Sequence, residues 1–183
     1  MKRRNFIQRT ALGSLAVVGG SKALAGSLSS TEPNQKSSMS NSEAMPLVIA
    51  TWNVPNATEA AYTVLQSGGS ALDAVEQGCR VEEANAEGQS VGIGGLPDRE
   101  GHVTLDACIM NPKGDYGAVV YLQNIKHPIS VARKVMEETP HVIMAGSGAE
   151  QFAVSQGFPR ENLLTEASKK FWHKWLVEAK YKP

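Results

Sequence analysis

SVGIGGLPDREGHVTLDACIM, from Ser90 to Met110, is the stretch that decides how this chain is read. It opens on a glycine-dense loop, passes through a Pro97-Asp98 turn and enters a segment that alternates with a period of two. Val103, Leu105, Ala107 and Ile109 fall on one side; Thr104, Asp106, Cys108 and Met110 fall on the other. That is the pattern of a strand with one buried face. Gly92, Gly94 and Gly95 let the backbone take positive φ and approach another segment closely. Asp106 puts a charge in mid-strand, where burial without a partner is costly, so it is expected to be hydrogen-bonded or close to function.

Downstream, Asn111 to Asp115 has turn chemistry and Tyr116 to Leu122 returns as a strand, so residues 102–122 predict an antiparallel hairpin. Upstream, Leu47 to Thr51 is a short apolar run typical of a fully buried strand. Asn56 and Glu59 have capping-box spacing for a helix through about Gln66, closed by Gly68-Gly69. Ser70 and Asp73 repeat that signature, and Ala71, Leu72, Val75, Cys79 and Val81 give the next helix its expected apolar face. His127-Pro128 places proline at the first turn of a helix over 129–138. Val142 to Ala145 reads as a strand, Gly146-Ser147-Gly148 turns into a helix reaching Gln156, and Thr165 caps a last helix. Phe171, Trp172, Trp175, Leu176 and Ala179 form its apolar stripe, expected in a core or a subunit interface. Local strand pairing and runs of helices indicate an α+β fold.

The amino terminus reads differently. Arg3-Arg4 with a following aromatic, the mildly apolar run Ala11–Gly20 and the small-x-small site Ala23-Leu24-Ala25 have the order of a twin-arginine export signal over residues 1–25. The apolar run is too short to span a bilayer. A basic arm without fixed structure is the alternative. Residues 26–45 are rich in Ser, Asn and Gln and read as a solvated linker, leaving residues 46–183 as one domain. Without residues 1–25, 13 of the 18 basic side chains remain against 18 acidic ones. That mild negative charge carries no nucleic-acid footprint. The reading places the mature protein in the periplasm or outside the cell, with no membrane attachment once the signal is removed.

The remaining chemistry is sparse. Gly92-Ile93-Gly94-Gly95 fails the dinucleotide fingerprint, since Pro97 stands where glycine is needed and a turn follows where a helix should. Tight loop-on-sheet packing is the plainer reading. His102, His127, His141 and His173 have no metal-ligand spacing, and no Gly-x-Ser-x-Gly elbow occurs. No metal or other cofactor is implied. Cys79 and Cys108 are read as two buried free thiols rather than a disulfide.

Ser-Val-Gly-x-Gly-Gly-x-Pro-Asp-x-x-Gly-x-Val-Thr-Leu-Asp-Ala-x-Ile-Met resembles a segment of the glycosylasparaginases, which are N-terminal-nucleophile amidohydrolases. The likeness extends to Thr51-Trp52-Asn53 and to His127-Pro128-Ile129-Ser130-Val131-Ala132-Arg133, and runs from about Pro46 to the end of the chain. It implies an αββα sandwich. It further implies that Trp52 contacts the asparagine-linked substrate and that Ser90 binds substrate at the mouth of a cleft lined by the glycine loop. The family's nucleophile is a threonine freed by cleavage of an Asp-Thr bond, whose own α-amino group is its general base. No aspartate in this sequence is followed by threonine, and Thr165 reads as a helix cap. No catalytic residue is therefore assigned.

By the resemblance this chain is the non-catalytic α half, inactive alone. Its expected partners are a nucleophile-bearing β chain of the same precursor, in a hetero-oligomer, and a small glyco-amino-acid substrate. The complete enzyme would cleave the β-amide of N-acetylglucosaminyl-asparagine to aspartate, with β-aspartyl peptides or free asparagine as alternative substrates. Val54-Pro55 and Leu96 depart from the family pattern, the former beside Trp52, where substrate preference would be affected. The rival readings are a non-catalytic exported binding domain and a truncated, inactive gene product.

Overall fold

The computed structural model describes residues 45–179. The expected export signal (1–25) and all of the linker except Met45 lie outside the described residues. Five helices and three strands follow in the order α1 (Pro55–Gln66), α2 (Ala71–Glu83), β1 (Leu105–Met110), β2 (Tyr116–Leu122), α3 (Pro128–Glu138), β3 (Ile143–Ala145), α4 (Gly146–Ser155) and α5 (Glu166–Glu178). The class is α+β, as the grouping of elements predicts.

The strands form a mixed sheet in the order β1-β2-β3. β1 and β2 make the expected antiparallel hairpin, with Ile109 opposite Gly117 and Ala107 opposite Val119. The register slips between Leu105 and Ala107. Asp106 sits at that irregularity, where its Oδ1 accepts the backbone N–H of Tyr121 at 2.7 Å. Tyr121 has φ of 55°, so the carboxylate satisfies a donor that the disturbed ladder leaves over. β3 runs parallel to β2, with Ala118 opposite Ile143 and Val120 opposite Ala145.

One face of this sheet carries the core. Ile109, Val119, Leu122 and Ile125 pack with Ile129, Val131, Ala132 and Val135 around α3, and with Ala149 and Ala153 of α4. Gly117 sets the distance, since a Cβ there would lie 2.1 Å from the carbonyl oxygen of Ala132. The opposite face is open. Met110 (66% exposed), Tyr116, Val120 and Ile143 all show apolar surface there. Among the described residues there is this one sheet, where a complete αββα sandwich has two.

α1 and α2 are an antiparallel pair joined by a short turn around Gly68. They cross at small residues, Ala57 and Ala61 against Ala74 and Gly78; a Cβ on Gly78 would stand 2.9 Å from the carbonyl oxygen of Ala57. This corrects the expected apolar face of α2. Leu72 is partly buried against the core, but Val75 and Cys79 are exposed, because backbone approach, not side-chain bulk, makes the contact.

Ser70 caps α2 as read. Its Oγ accepts Asp73 N–H at 3.1 Å and donates to Asp73 Oδ2 at 2.6 Å. The box at Asn56 and Glu59 does not form. Val54 is the N-cap and Pro55 opens α1, since the fixed φ of proline suits that position and leaves Asn56 already inside the helix. Leu47 to Thr51 is not a strand either, and Leu47 and Ile49 are exposed. A strand needs a hydrogen-bonded neighbour, and none of the three described strands lies against it. The α5 stripe is not core: Phe171, Trp175 and Leu176 are exposed. Trp172 is the exception, stacked over Gly101 with its Nε1 donating to Arg99 O at 3.1 Å.

The cysteines also require correction. Both are free, as expected, but both lie at the surface. Cys108 points to the open sheet face, opposite Ala118, and Cys79 follows Gly78 out of the helix contact. The sulfur of Cys79 is still crowded enough that desolvation, then the charges of Glu83, Cys108 and Glu76, push its pKa up. That keeps it a thiol and a poor nucleophile.

α2 and α3 are joined by charge. Arg133 donates from Nη1 to Asp73 Oδ1 (2.6 Å) and Glu76 Oε2 (2.7 Å), and from Nε to Glu137 Oε1 (2.8 Å). Desolvation opposes its charge, but hydrogen bonds to Glu137, Asp73 and Glu76 outweigh that and hold it protonated. The hydroxyl of Ser70 and then Arg133 lower the pKa of Asp73 below its ordinary 3.8.

A Gly117→Ala chain is expected to lose more than about 2 kcal/mol of unfolding free energy in urea, since backbone atoms of α3 must move to admit the methyl group. For Asp73 the sign follows from a folded pKa below the unfolded one: its contribution is present above about pH 4 and is lost as pH falls through the folded value. Urea midpoints of wild type and Asp73→Asn should therefore differ most at neutral pH and converge below about pH 4.

Candidate functional site

Ser90 stands on a loop held from both sides. On one side is the end of α2: Ile93 N donates to Glu83 O at 2.9 Å. Gly92, at φ of 61°, lies so close that a Cβ would be 1.9 Å from that same oxygen. On the other side, Gly94 N donates to Leu163 O at 2.8 Å, and the fully buried Ser168 of α5 donates its hydroxyl to Gly94 O at 2.5 Å. The loop also closes on itself through Leu96 N to Gln89 O at 3.2 Å. The glycines therefore serve close packing of the loop, and no phosphate cradle is needed to account for them.

Trp52 lies at the bend before α1, and Ser90 lies after the end of α2. In the antiparallel pair Gly78 sits against Ala57, so both residues belong to the same end of the hairpin. Both are exposed, Trp52 to 69%. The two sequence-assigned residues thus offer an apolar indole surface and a hydroxyl at one end of the molecule. An indole packs on apolar faces of a ligand and a hydroxyl gives or accepts one hydrogen bond.

Nothing in the described residues reads as a nucleophile with its base. Ser130 has its hydroxyl between charged groups, donating to Glu76 Oε1 at 2.5 Å and accepting from Arg80 Nη1 at 2.8 Å. It is buried between α2 and α3, which makes it a joint between helices. Among the described residues no cluster of His, Cys, Asp or Glu could hold a metal ion. An open cleft of about 350 Å³ lies elsewhere, lined by Arg80, Lys126, His127, Phe158 and Glu161 among others. It contains neither Trp52 nor Ser90, and Lys126 is paired with Glu161 across 3.2 Å, so its position argues against its being the mouth read from the sequence.

One buried group behind the loop carries no local sequence signal. Glu83, 4% exposed, accepts the N–H of Ile129 on Oε1 at 3.0 Å, and its Oε2 lies 3.1 Å from His127 Nδ1. A carboxylate at a helix N-terminus satisfies an open backbone donor and suits the helix dipole. A search for acidic partners of histidines at helical spacing cannot find a pair separated by 44 positions.

Comparison with known proteins agrees with the motifs. A family model described as asparaginase matches residues 33–182. A protein of Elizabethkingia miricola named N(4)-(β-N-acetylglucosaminyl)-L-asparaginase is 46% identical over 182 residues, which are 99% of this chain and 52% of that protein. The protein of that name in Rattus norvegicus is 52% identical over 136 residues, 74% of this chain and 39% of its own length. A Drosophila melanogaster protein named as a putative enzyme of this kind is 39% identical over 148 residues, 78% of this chain and 38% of that protein. The chain spans about half the length, or less, of these relatives. It belongs to the asparaginase family, in the part of it that these N(4)-(β-N-acetylglucosaminyl)-L-asparaginases occupy.

Proposed function

We propose that this chain is the non-catalytic part of an exported amidohydrolase that cleaves the β-amide of N-acetylglucosaminyl-asparagine, giving aspartate and the glycosylamine. The observation that carries this reading is likeness to a relative of that name along 99% of the chain, with the quoted motifs placed on the Ser90 loop and on α3. A second supports the partial nature of the unit. The sheet is covered by helices on one face and leaves apolar side chains on the other, as a layer does when a further layer is meant to pack against it.

In this reading a threonine hydroxyl on the partner chain attacks the β-carbonyl and expels the glycosylamine, water then hydrolyses the resulting aspartyl ester to release aspartate, and the residues described here bind and orient. Trp52 offers the indole surface against the substrate and Ser90 a hydroxyl at the rim. The partner chain supplies the groups that stabilise the oxyanion, which dominate the rate in such reactions. Export through residues 1–25 belongs to the same proposal and rests on the sequence of that segment.

The test is complementation. This chain is co-expressed with the part of the Elizabethkingia miricola relative that lies beyond their aligned region, and aspartate release from N-acetylglucosaminyl-asparagine is measured. The pair is expected to be active and each part alone inactive. Ser90→Ala should raise KM about tenfold, the order of one lost hydrogen bond to substrate. Release from β-aspartyl peptides or free asparagine alone would assign the alternative substrates. A stable but inactive pair would leave the binding-domain reading in place of the enzyme.

A further inference from the structure

We infer that Glu83 is a positioning residue for the Ser90 loop, working through both its backbone and its carboxylate; the functional part of this inference rests on the reading of Ser90 proposed above. Three structural elements meet at this one residue. Its peptide carbonyl receives Ile93 N–H, the bond that attaches the loop to α2, and Gly92 is packed against its Cα and carbonyl. Its carboxylate ties the end of α2 to the start of α3, through Ile129 N–H on one oxygen and His127 on the other. α3 in turn is seated on the sheet. Glu83 is thus the residue at which the loop, the end of α2 and the start of α3 are tied together directly.

The chemistry makes this position sensitive. A buried carboxylate is costly to place unless its oxygens are paired, and here both are. Removing it leaves the Ile129 N–H, the first free donor of α3, without an acceptor in a closed environment. It also removes the tie to α3 nearest the loop, leaving the last turn of α2 held to α3 one turn back by Arg80 on Ser130, so the residue that receives the Ile93 bond is the one loosened. The second attachment of the loop, through Gly94 to Leu163 and Ser168, stays in place. The expected outcome is thus displacement at the Ser90 end of the loop with the fold retained. Glutamine at this position keeps a carbonyl oxygen for Ile129 N–H and offers an N–H to the His127 ring in its other tautomer, so it should restore the arrangement where alanine does not.

The experiment compares wild type, Glu83→Ala and Glu83→Gln with two readouts. Amide exchange on the full 183-residue chain follows Ile93, Ile129 and Gly94. Alanine is expected to speed exchange at Ile93 and Ile129 at least tenfold and leave Gly94 within about twofold, with glutamine close to wild type. In the complemented two-part enzyme, alanine is expected to raise KM about tenfold with kcat within about twofold, again restored by glutamine. Unchanged exchange at Ile93 in the alanine chain would overturn the inference, as would equal losses in the alanine and glutamine enzymes. So would a fall in kcat at constant KM. If the wild-type pair releases no aspartate, the functional reading of Ser90 fails, and the exchange data still decide whether Glu83 holds the loop. If alanine unfolds the chain, His127→Ala, which removes one partner of the carboxylate, takes its place: exchange at Ile93 faster than in Glu83→Gln supports the inference, and exchange equal to it overturns the inference.

Discussion

The close seat of α3 on the sheet at Gly117 is the contact on which the rest of this fold depends. With no side chain between them, the backbone of α3 at Ala132 comes nearly into contact with β2. Val119, Ile109 and Ile129 then close around the crossing with no exposure to speak of. The β1–β2 register matters because it puts Ile109 opposite Gly117 and Ala107 opposite Val119, on this same side. Everything helical that touches the sheet gathers there, and the other side keeps its apolar residues in the open. A layer so one-sided is half of an architecture in the physical sense: its hydrophobic content is matched to two contacts and it makes one.

From that seat the end bearing Trp52 and Ser90 is reached by short, polar steps. α3 is bound to α2 by Arg133 on Asp73 and Glu76, by the Arg80–Ser130–Glu76 chain, and by Glu83 at the junction itself. α2 then hands position to the glycine loop and to α1 through the small residues of the helix crossing. Charges are used here between helices, where they are partly dry and satisfied on several sides. In that setting, losing one partner costs more than an exposed ion pair contributes. The result is an indole and a hydroxyl at one end of a helical hairpin whose frame is set some distance away.

Much of this was legible in the sequence because it is local. The alternation of Val103 to Ile109, the Asn111–Asp115 turn, the Ser70 and Thr165 caps and proline at the start of α3 each act within a few residues, and each appears as read. Misreadings share a cause. Leu47 to Thr51 has the composition of a strand, but a strand is a relation between two segments. Side-chain bulk picks the wrong face of α2, since Ala74 and Gly78 are buried because they are small. Cys79 and Cys108 read as buried on the habit of their residue type, and both lie at the surface. Trp52 and Ser90 were assigned by family likeness; the fold adds only that they share one end of the hairpin. Glu83 and His127 meet across a separation that no periodicity reports.

The proposed function requires the open face of the sheet to be a packing surface for a partner layer. Hydroxyl-radical footprinting of Met110 and Tyr116 measures this directly, in the chain alone and with the C-terminal part of the Elizabethkingia miricola relative. If the face is covered, oxidation of both residues falls several-fold when the parts associate, while that of exposed residues away from the sheet is unchanged. Association with Met110 and Tyr116 as reactive as before would contradict the account, for the sheet would then be finished as it stands.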